Sequence, residues 1–311
     1  MAESLLTAAN LLTINDRNAA DTDVPDFLDR SPAIANLSAV VASNDTVHKY
    51  FRYALPSTGF RAINNGREVQ TSTDTAVTVN LAILDASFRV DMEAANEYRT
   101  GAEAWLNREA ARALRSAFFS AEKQIFQGTG NDAAGFNGFA DDASLDAVAD
   151  AFTVDGGGSS NLTSIYVVRS GDEDVQVITG KGGDISMGTP TVQETAGSST
   201  GTYPALYTPV SGWLGLKIGS NHASATRPSV VRICNVDHTA STELDNEIYD
   251  AIKLFDDEPT HIFASPKALE RMRRARTTYN PVGTPATTPD NIEGIPIFAT
   301  RGISDSETAV S

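Results

Sequence analysis

The strongest periodic signal lies between residues 91 and 127. There Leu106, Ala110, Leu114, Ala117, Ala121 and Ile125 recur every three or four positions, while Arg108, Glu109, Arg112, Arg115, Glu122 and Lys123 fill the other faces. That spacing draws an apolar stripe along an α-helix. Thr100 and Glu103 have the spacing of a capping box, and Gly128 is a natural stop. A helix from Gly101 to Gln127 would extend about 40 Å at roughly 1.5 Å per residue. That makes it a spine, and a separate helical turn from Asp91 can precede it.

Before the spine the period changes to two. Val77, Val79, Leu81 and Ile83 alternate with Thr78, Asn80 and Ala82, the pattern of a half-buried strand. Upstream, Tyr50, Phe51 and Tyr53 lead into Leu55-Pro56-Ser57-Thr58-Gly59, and Asn64-Asn65-Gly66 supplies a second turn. Residues 48 to 84 therefore read as a long two-stranded excursion. Such a hairpin is marginal alone in water, so it is expected to rest on a neighbour. Residues 1 to 43 hold Asp16, Asp21, Asp23, Asp26 and Asp29, with breakers at Pro25 and Pro32 and only short apolar pieces such as Leu5-Leu6 and Ile34 to Val41. They read as an arm lying on something else, with a short helix from Ser31, the N-cap before Pro32.

After the spine comes a glycine-punctuated loop through Gly128, Gly130, Gly135 and Gly138, then a short helix expected over residues 141 to 152. Ile165 to Val168, Val175 to Ile178, Leu214 to Ile218 and Val230 to Val236 read as strands of an antiparallel block. Glu243 to Phe255 is amphipathic, with Leu244, Ile248, Ile252 and Phe255 on one stripe. The stretch from Pro259 to Pro266 gives a short buried strand, and Pro266 opens a helix running to about Thr277. A Pro/Thr-rich loop from Pro281 to Pro289 precedes the tail from Ile292 to Ala299, which is expected to end as a strand.

Composition narrows the function. The chain has 311 residues, and 24 Lys+Arg stand against 40 Asp+Glu, a formal net charge of -16. Such a surface repels polyanions over a Debye length of roughly 10 Å. Gripping nucleic acid is therefore disfavoured, although enclosing it is not. The single cysteine, Cys234, lies in an apolar run and excludes a disulfide scaffold within the chain. No signal-peptide pattern opens the sequence, and no run approaches the 18 or so apolar residues of a membrane span. Synthesis in a reducing cytoplasm is the expectation, under which the N-x-[ST] matches at Asn36, Asn44 and Asn161 carry no meaning.

Catalytic constellations are missing. His48, His222, His238 and His261 show no zinc spacing. Asp237-His238 beside Cys234 reads as a loop following a buried thiol. Gly128-Thr129-Gly130 and Gly180-Lys181-Gly182 lack the phosphate-cradling frame, and Gly-x-Ser-x-Gly is absent. Asp141-Asp142, Asp172-Glu173-Asp174 and Asp256-Asp257-Glu258 lack the frame of a calcium loop. No catalytic residue, cofactor or metal is assigned. The one dense positive patch is Arg271, Arg273, Arg274 and Arg276, expected to meet carboxylates of another subunit. Arg61, Arg67, Arg89 and Arg99, on or near the excursion and spine, are further candidates for intersubunit contact.

The order of these elements resembles the HK97-fold major capsid proteins of tailed phages, in particular the GP7-like group. The resemblance rests on His48-Lys49-Tyr50-Phe51-Arg52-Tyr53-Ala54-Leu55-Pro56-Ser57-Thr58-Gly59-Phe60-Arg61, on Ile165-Tyr166-Val167-Val168-Arg169, and on Thr179-Gly180-Lys181-Gly182-Gly183. It extends through Val231-Arg232-Ile233-Cys234-Asn235-Val236-Asp237 to Phe263-Ala264-Ser265-Pro266 and Glu293-Gly294-Ile295-Pro296-Ile297. Each piece is common alone, and their order is what is specific.

The resemblance implies an α+β HK97-like capsid fold. Its parts would be an N-terminal arm (1–43), an extended hairpin loop (44–90), a spine helix opening the peripheral domain (91–160), a β-rich part of that domain (161–240) and an axial domain (241–311). It implies a structural subunit, not an enzyme, that builds hexamers and pentamers of an icosahedral head around double-stranded DNA. Scaffolding, portal and decoration proteins are implied partners, the host bacterial cytoplasm the place of assembly, and no membrane is involved. An encapsulin-type nanocompartment shell and a β-rich surface enzyme or adhesin are the alternatives. The family's prototype crosslinks its shell through a lysine of the extended loop. Here that loop has only Lys49, at its base, so no isopeptide bond is expected.

Overall fold

The computed structural model describes residues 13–14, 17–18, 30–54, 56, 58–66, 69, 71–180, 184–197, 200–219, 227–278 and 284–311. The strands are β1 (Thr13–Ile14), β2 (Arg17–Asn18), β3 (Ala39–Val41), β4 (Val47–Ala54), β5 (Thr73–Asn80), β6 (Ala82–Asp85), β7 (Phe88–Asp91), β8 (Thr153–Asp155) and β9 (Leu162–Val168). They continue as β10 (Gln176–Thr179), β11 (Asp184–Met187), β12 (Thr191–Ala196), β13 (Thr202–Thr208), β14 (Val210–Lys217), β15 (Val230–Asp237), β16 (His261–Ala264), β17 (Asn291–Ile292) and β18 (Ile295–Ala299). The helices are α1 (Pro32–Asn36), α2 (Met92–Asn96), α3 (Ala102–Gln127), α4 (Asp245–Lys253) and α5 (Pro266–Thr278).

Helix α3 is the expected spine. Ala110, Leu114, Ala117, Ala121 and Ile125 of its stripe are buried together with Phe118 and Phe126. Each large side chain among them contributes about 1.5–3 kcal/mol of transfer free energy. Phe126 is the hub, with ring centroids 5.8 Å from Phe139, 5.3 Å from Tyr166 and 5.6 Å from Phe263. The spine is thereby joined to the glycine loop and to two strands. The helix ends at Gly128, whose φ of 54° and donation to the Gln124 carbonyl close the last turn. It starts one residue later than a Thr100 cap requires. Gly101 occupies the N-cap at φ 92°, a region glycine enters freely, so the Thr100–Glu103 box does not form the cap.

Two main sheets flank the spine. One runs β17-β18-β16-β9-β15-β8, and the other runs β2-β1-β11-β14-β10-β3 with β6 also paired to β14. In the first sheet every residue of β9 is buried, as is β15 as far as Val236. Strands covered on both faces need continuous apolar runs, which explains why Ile165–Val168 and Val230–Val236 show no alternation. β16 and β18 pair in parallel, with α5 as the crossover between them. The expected antiparallel block thus divides between two sheets and includes parallel pairs, β15 with β8 and β10 with β3. The first sheet takes strands from both sides of residue 240, so that position separates no two cores. A smaller sheet, β12-β13-β7, stands beside the start of the spine.

Three further expectations are corrected. Residues 30 to 42 are not an arm lying elsewhere: Ala33, Ile34 and Leu37 are buried, and β3 pairs in parallel with β10. The apolar piece from Ile34 to Val41 is enough to enter the core between spine and sheet. Of residues 1 to 29, β1 and β2 are described, with β1 paired to β11, and the rest of the expected arm lies outside the described residues. Residues 141 to 152 form no helix. Asp142 Oδ1 accepts from Ser144 N–H and Asp150 Oδ2 from Ala147 N–H, side-chain turns that compete with helical pairing. The excursion stops at Asn80, because β6 pairs with β14 and β7 with β13 in the body.

Candidate assembly surfaces

The hairpin β4–β5 is a two-stranded sheet of its own, paired over eight positions from Val47↔Asn80 to Ala54↔Thr73. At about 3.4 Å per residue the ladder is roughly 27 Å long. The ladder is fastened to the body along its length, through Tyr50, Arg52 and, next to its tip-side end, Tyr53. Arg52 Nη2 lies 3.4 Å from Asp142 Oδ2, and Tyr53 Oη donates to Glu173 Oε2 at 2.9 Å. The buried Lys217 ammonium sits 5.4 Å from the Tyr50 ring and donates to Gln176 Oε1 at 3.1 Å and to the Asp172 carbonyl. Between the ladder and the glycine loop is a cavity of about 350 Å³ lined by Tyr50, Arg52, Asn80, Phe136, Asn137 and Asp142.

Beyond the ladder the hairpin leaves the body. Phe51, Phe60, Ile63 and Val69 are exposed, Phe60 and Ile63 almost completely. Three large apolar residues at one tip are what soluble monomers avoid. Residues 44 to 80 carry Lys49, Arg52, Arg61 and Arg67 against Asp45, Glu68 and Asp74. The hairpin is therefore slightly cationic while the chain as a whole is strongly anionic.

The candidate arginines fall into two groups. Arg61 is exposed, its Nη1 donating to the Asn65 carbonyl at 3.1 Å. Arg89 is exposed with its guanidinium 6.0 Å from the Tyr207 ring, and Arg99 is exposed in the turn between α2 and α3. Arg67 lies outside the described residues. Along α5, by contrast, Arg271 is only 3% exposed and donates to the Thr242 carbonyl, the Asp237 carbonyl and Thr242 Oγ1. Arg274 donates to the Thr239 and His238 carbonyls, and Arg276 to Asp245 Oδ2 at 3.1 and 3.2 Å. These three fasten α5 to the 237–245 segment within the chain, and Arg273 is half-buried.

Cys234 and His261 are two chemistry-bearing groups set within the body. Burial pushes the Cys234 thiol up to about 11, which disfavours a reactive thiolate. His261, packed against Phe263 and Phe298, is pushed down to about 4 by burial and is neutral. Among the described residues no three His, Cys, Asp or Glu side chains gather as metal ligands, and no helix is long and apolar enough to cross a membrane.

Besides Lys217, two buried charges were assigned no role by the sequence pattern. Glu122, placed there among the polar faces, is fully buried; its spacing from Phe118 and Phe126 shows that it shares the core stripe. It accepts from Ala33 N–H, Ile34 N–H and Thr300 Oγ1, and burial pushes it up to about 7. Arg232, 7% exposed, donates to Ser164 Oγ, the Leu145 carbonyl and Glu307 Oε2. A lone arginine inside an apolar strand run was the signal available for it.

The family described as major capsid protein GP7 matches residues 16–311. Among solved structures, a chain of bacteriophage Epsilon15 shares the fold at TM-score 0.61 and 18% identity, covering 88% of both chains. The capsid of bacteriophage JBD30 aligns at TM-score 0.46 and 10% identity over 85% of this chain and 88% of that one. No curated protein sequence matches.

Proposed function

The chain belongs to the major capsid protein GP7 family, a structural shell protein of HK97-like fold, and from that premise we propose that its hairpin and exposed arginines are the parts that join copies into the shell. In this reading the hairpin is the extended loop, α3 the spine of the peripheral domain, and the six-stranded sheet with α4 and α5 the axial domain. Each copy makes heterologous contacts that close into rings of five and six. Assembly takes place in the host bacterial cytoplasm and encloses double-stranded DNA without gripping it. Scaffolding, portal and decoration proteins are the partners of other kinds.

The observation that carries the reading is the hairpin's tip: beyond eight paired positions fastened to the body, the chain carries the exposed Phe60, Ile63 and Val69. Apolar side chains exposed together at such a tip gain their missing support from another surface. Arg61, Arg67, Arg89 and Arg99 are the proposed intersubunit donors. Within the α5 cluster the guanidiniums of Arg271, Arg274 and Arg276 already serve their own chain, which leaves Arg273 for a neighbour.

Replacing residues 55–72 by a two-residue Asn-Gly turn keeps β4, β5 and the contacts that fasten them to the body. The expected product is a folded subunit with an unchanged melting temperature that forms no particles by sedimentation. Particles of normal size would overturn the assignment of the hairpin.

A further inference from the structure

One apolar patch on the body has no partner within the chain. On the second sheet, Trp213 of β14 pairs in register with Ile83 of β6, and both side chains are on the exposed face, at 37% and 58% exposure. Their strand neighbours Leu84 and Leu214 alternate to the other face and pack into or against the core. Gly180 lies over the root of Trp213, where an added Cβ would come within 2.6 Å, so the indole is held from one side and open on the other. The next register pair on the same face is Ser211↔Asp85. Asp85 is exposed and accepts from Ser87 N–H at 2.8 Å; its carboxyl is held below the usual range by the Ser87 hydroxyl and N–H. Among the described residues it has no cationic partner. The patch is thus two large apolar side chains with an anion beside them.

The hairpin tip carries the complement: Phe60 and Ile63 exposed, with Arg61 between them making no described contact to a carboxylate. One copy cannot join its own two patches. β5 runs straight into β6 through Leu81, and the ladder of roughly 27 Å separates the tip from the strand that bears Ile83. A surface and its complement that cannot meet within one chain form a heterologous contact between chains, which closes into a ring when the rotation allows.

We propose that the Ile83–Trp213 patch is the socket for the hairpin tip of a second copy, Phe60 and Ile63 packing on the indole and isoleucine while Arg61 meets Asp85. The inference rests on the shell reading above and adds to it the place on the neighbour where the hairpin lands. A tryptophan in a partly enclosed setting is the residue type that dominates such contacts, and the charge pair at its rim fixes orientation and suppresses wrong pairings.

The test uses full-length chains carrying F60C and I83C, singly and together; Cys234, the natural cysteine, is buried. Assembled particles are treated with a mild oxidant and dissolved in detergent. The double variant gives a ladder of covalent multimers and neither single variant does. Particles of the double variant that dissolve to monomers overturn the proposal. Where the cysteine variants do not assemble, the charge pair decides. R61D and D85K each lower particle yield about tenfold, and the combined reversal restores it. Wild-type yield in both single reversals, or no recovery in the pair, overturns the proposal. A wild-type chain that forms no particles at all overturns the shell reading instead.

Discussion

The Glu122 carboxylate caps the helix that begins at Pro32: Ala33 N–H donates to it at 3.1 and 3.2 Å, across 89 positions of sequence. Ser31, the residue placed to cap that helix, makes no side-chain cap bond. Thr300 Oγ1 donates to the same carboxylate at 2.7 Å. One buried acid therefore joins the first core-forming segment, the spine and the C-terminal region.

A pH dependence follows from that acid. Folded Glu122 titrates at about 7 against 4.5 for the exposed group, because burial disfavours its charge. Between those values the folded chain holds the extra proton. This contribution to stability is complete below about 4.5 and is lost as pH rises through about 7. Glu122→Gln keeps the shape and an acceptor without the charge. Urea unfolding at pH 8 should find the variant more stable by about 3 kcal/mol at most, with the difference shrinking toward pH 5. A variant less stable at pH 8 would contradict this.

Arg232 and Glu307 form a largely buried ion pair, at 2.9 Å with side chains 8% and 15% exposed. Glu307→Ala strands the Arg232 charge and should lower unfolding free energy by about 3–5 kcal/mol. The Lys267–Asp305 pair, 51% and 33% exposed, is the control. Asp305→Ala should change stability by less than about 1 kcal/mol, since water already screens it.

Gly128 and Gly130 predict opposite outcomes two residues apart. An added Cβ at Gly128 would fall 1.7 Å from Asp141 Oδ2, and its φ is +54°, whereas at Gly130 nothing lies within 4 Å. Gly128→Ala should destabilise by about 2–3 kcal/mol, and Gly130→Ala by less than about 0.5. Thermal melts of the two variants would show it.

Arg271 and Arg273 should separate folding from assembly. Removing the Arg271 guanidinium leaves Thr242 and Asp237 carbonyl acceptors unsatisfied and should cost about 2–3 kcal/mol of subunit stability. Arg273→Ala should leave the melting temperature unchanged and act, if anywhere, on particle yield.

Local patterning carried most of the elements. The three- and four-residue spacing from Leu106 to Ile125 located the spine, and alternation at Val77 and Val79 located the hairpin strand, because each element's own periodicity reports its burial. Long-range pairing was hidden. Nothing near Ala39 announces that it lies beside Val177, and nothing in Val230–Val236 says which sheet it joins. The 141–152 segment misled because Asp142 and Asp150 turn the chain with their side chains. The α5 arginines read as a surface patch because charge density does not reveal that their acceptors are carbonyls folded beneath them. Glu122 was obscured for the opposite reason: a charged residue on an apolar stripe is normally assigned to the edge.

Electron microscopy of the full-length chain, expressed alone and purified at high concentration, addresses the central claim most directly. The account predicts closed shells in which each hairpin lies across an adjacent copy. A monodisperse 33.0 kDa monomer, with the hairpin tip folded against its own body, would contradict it.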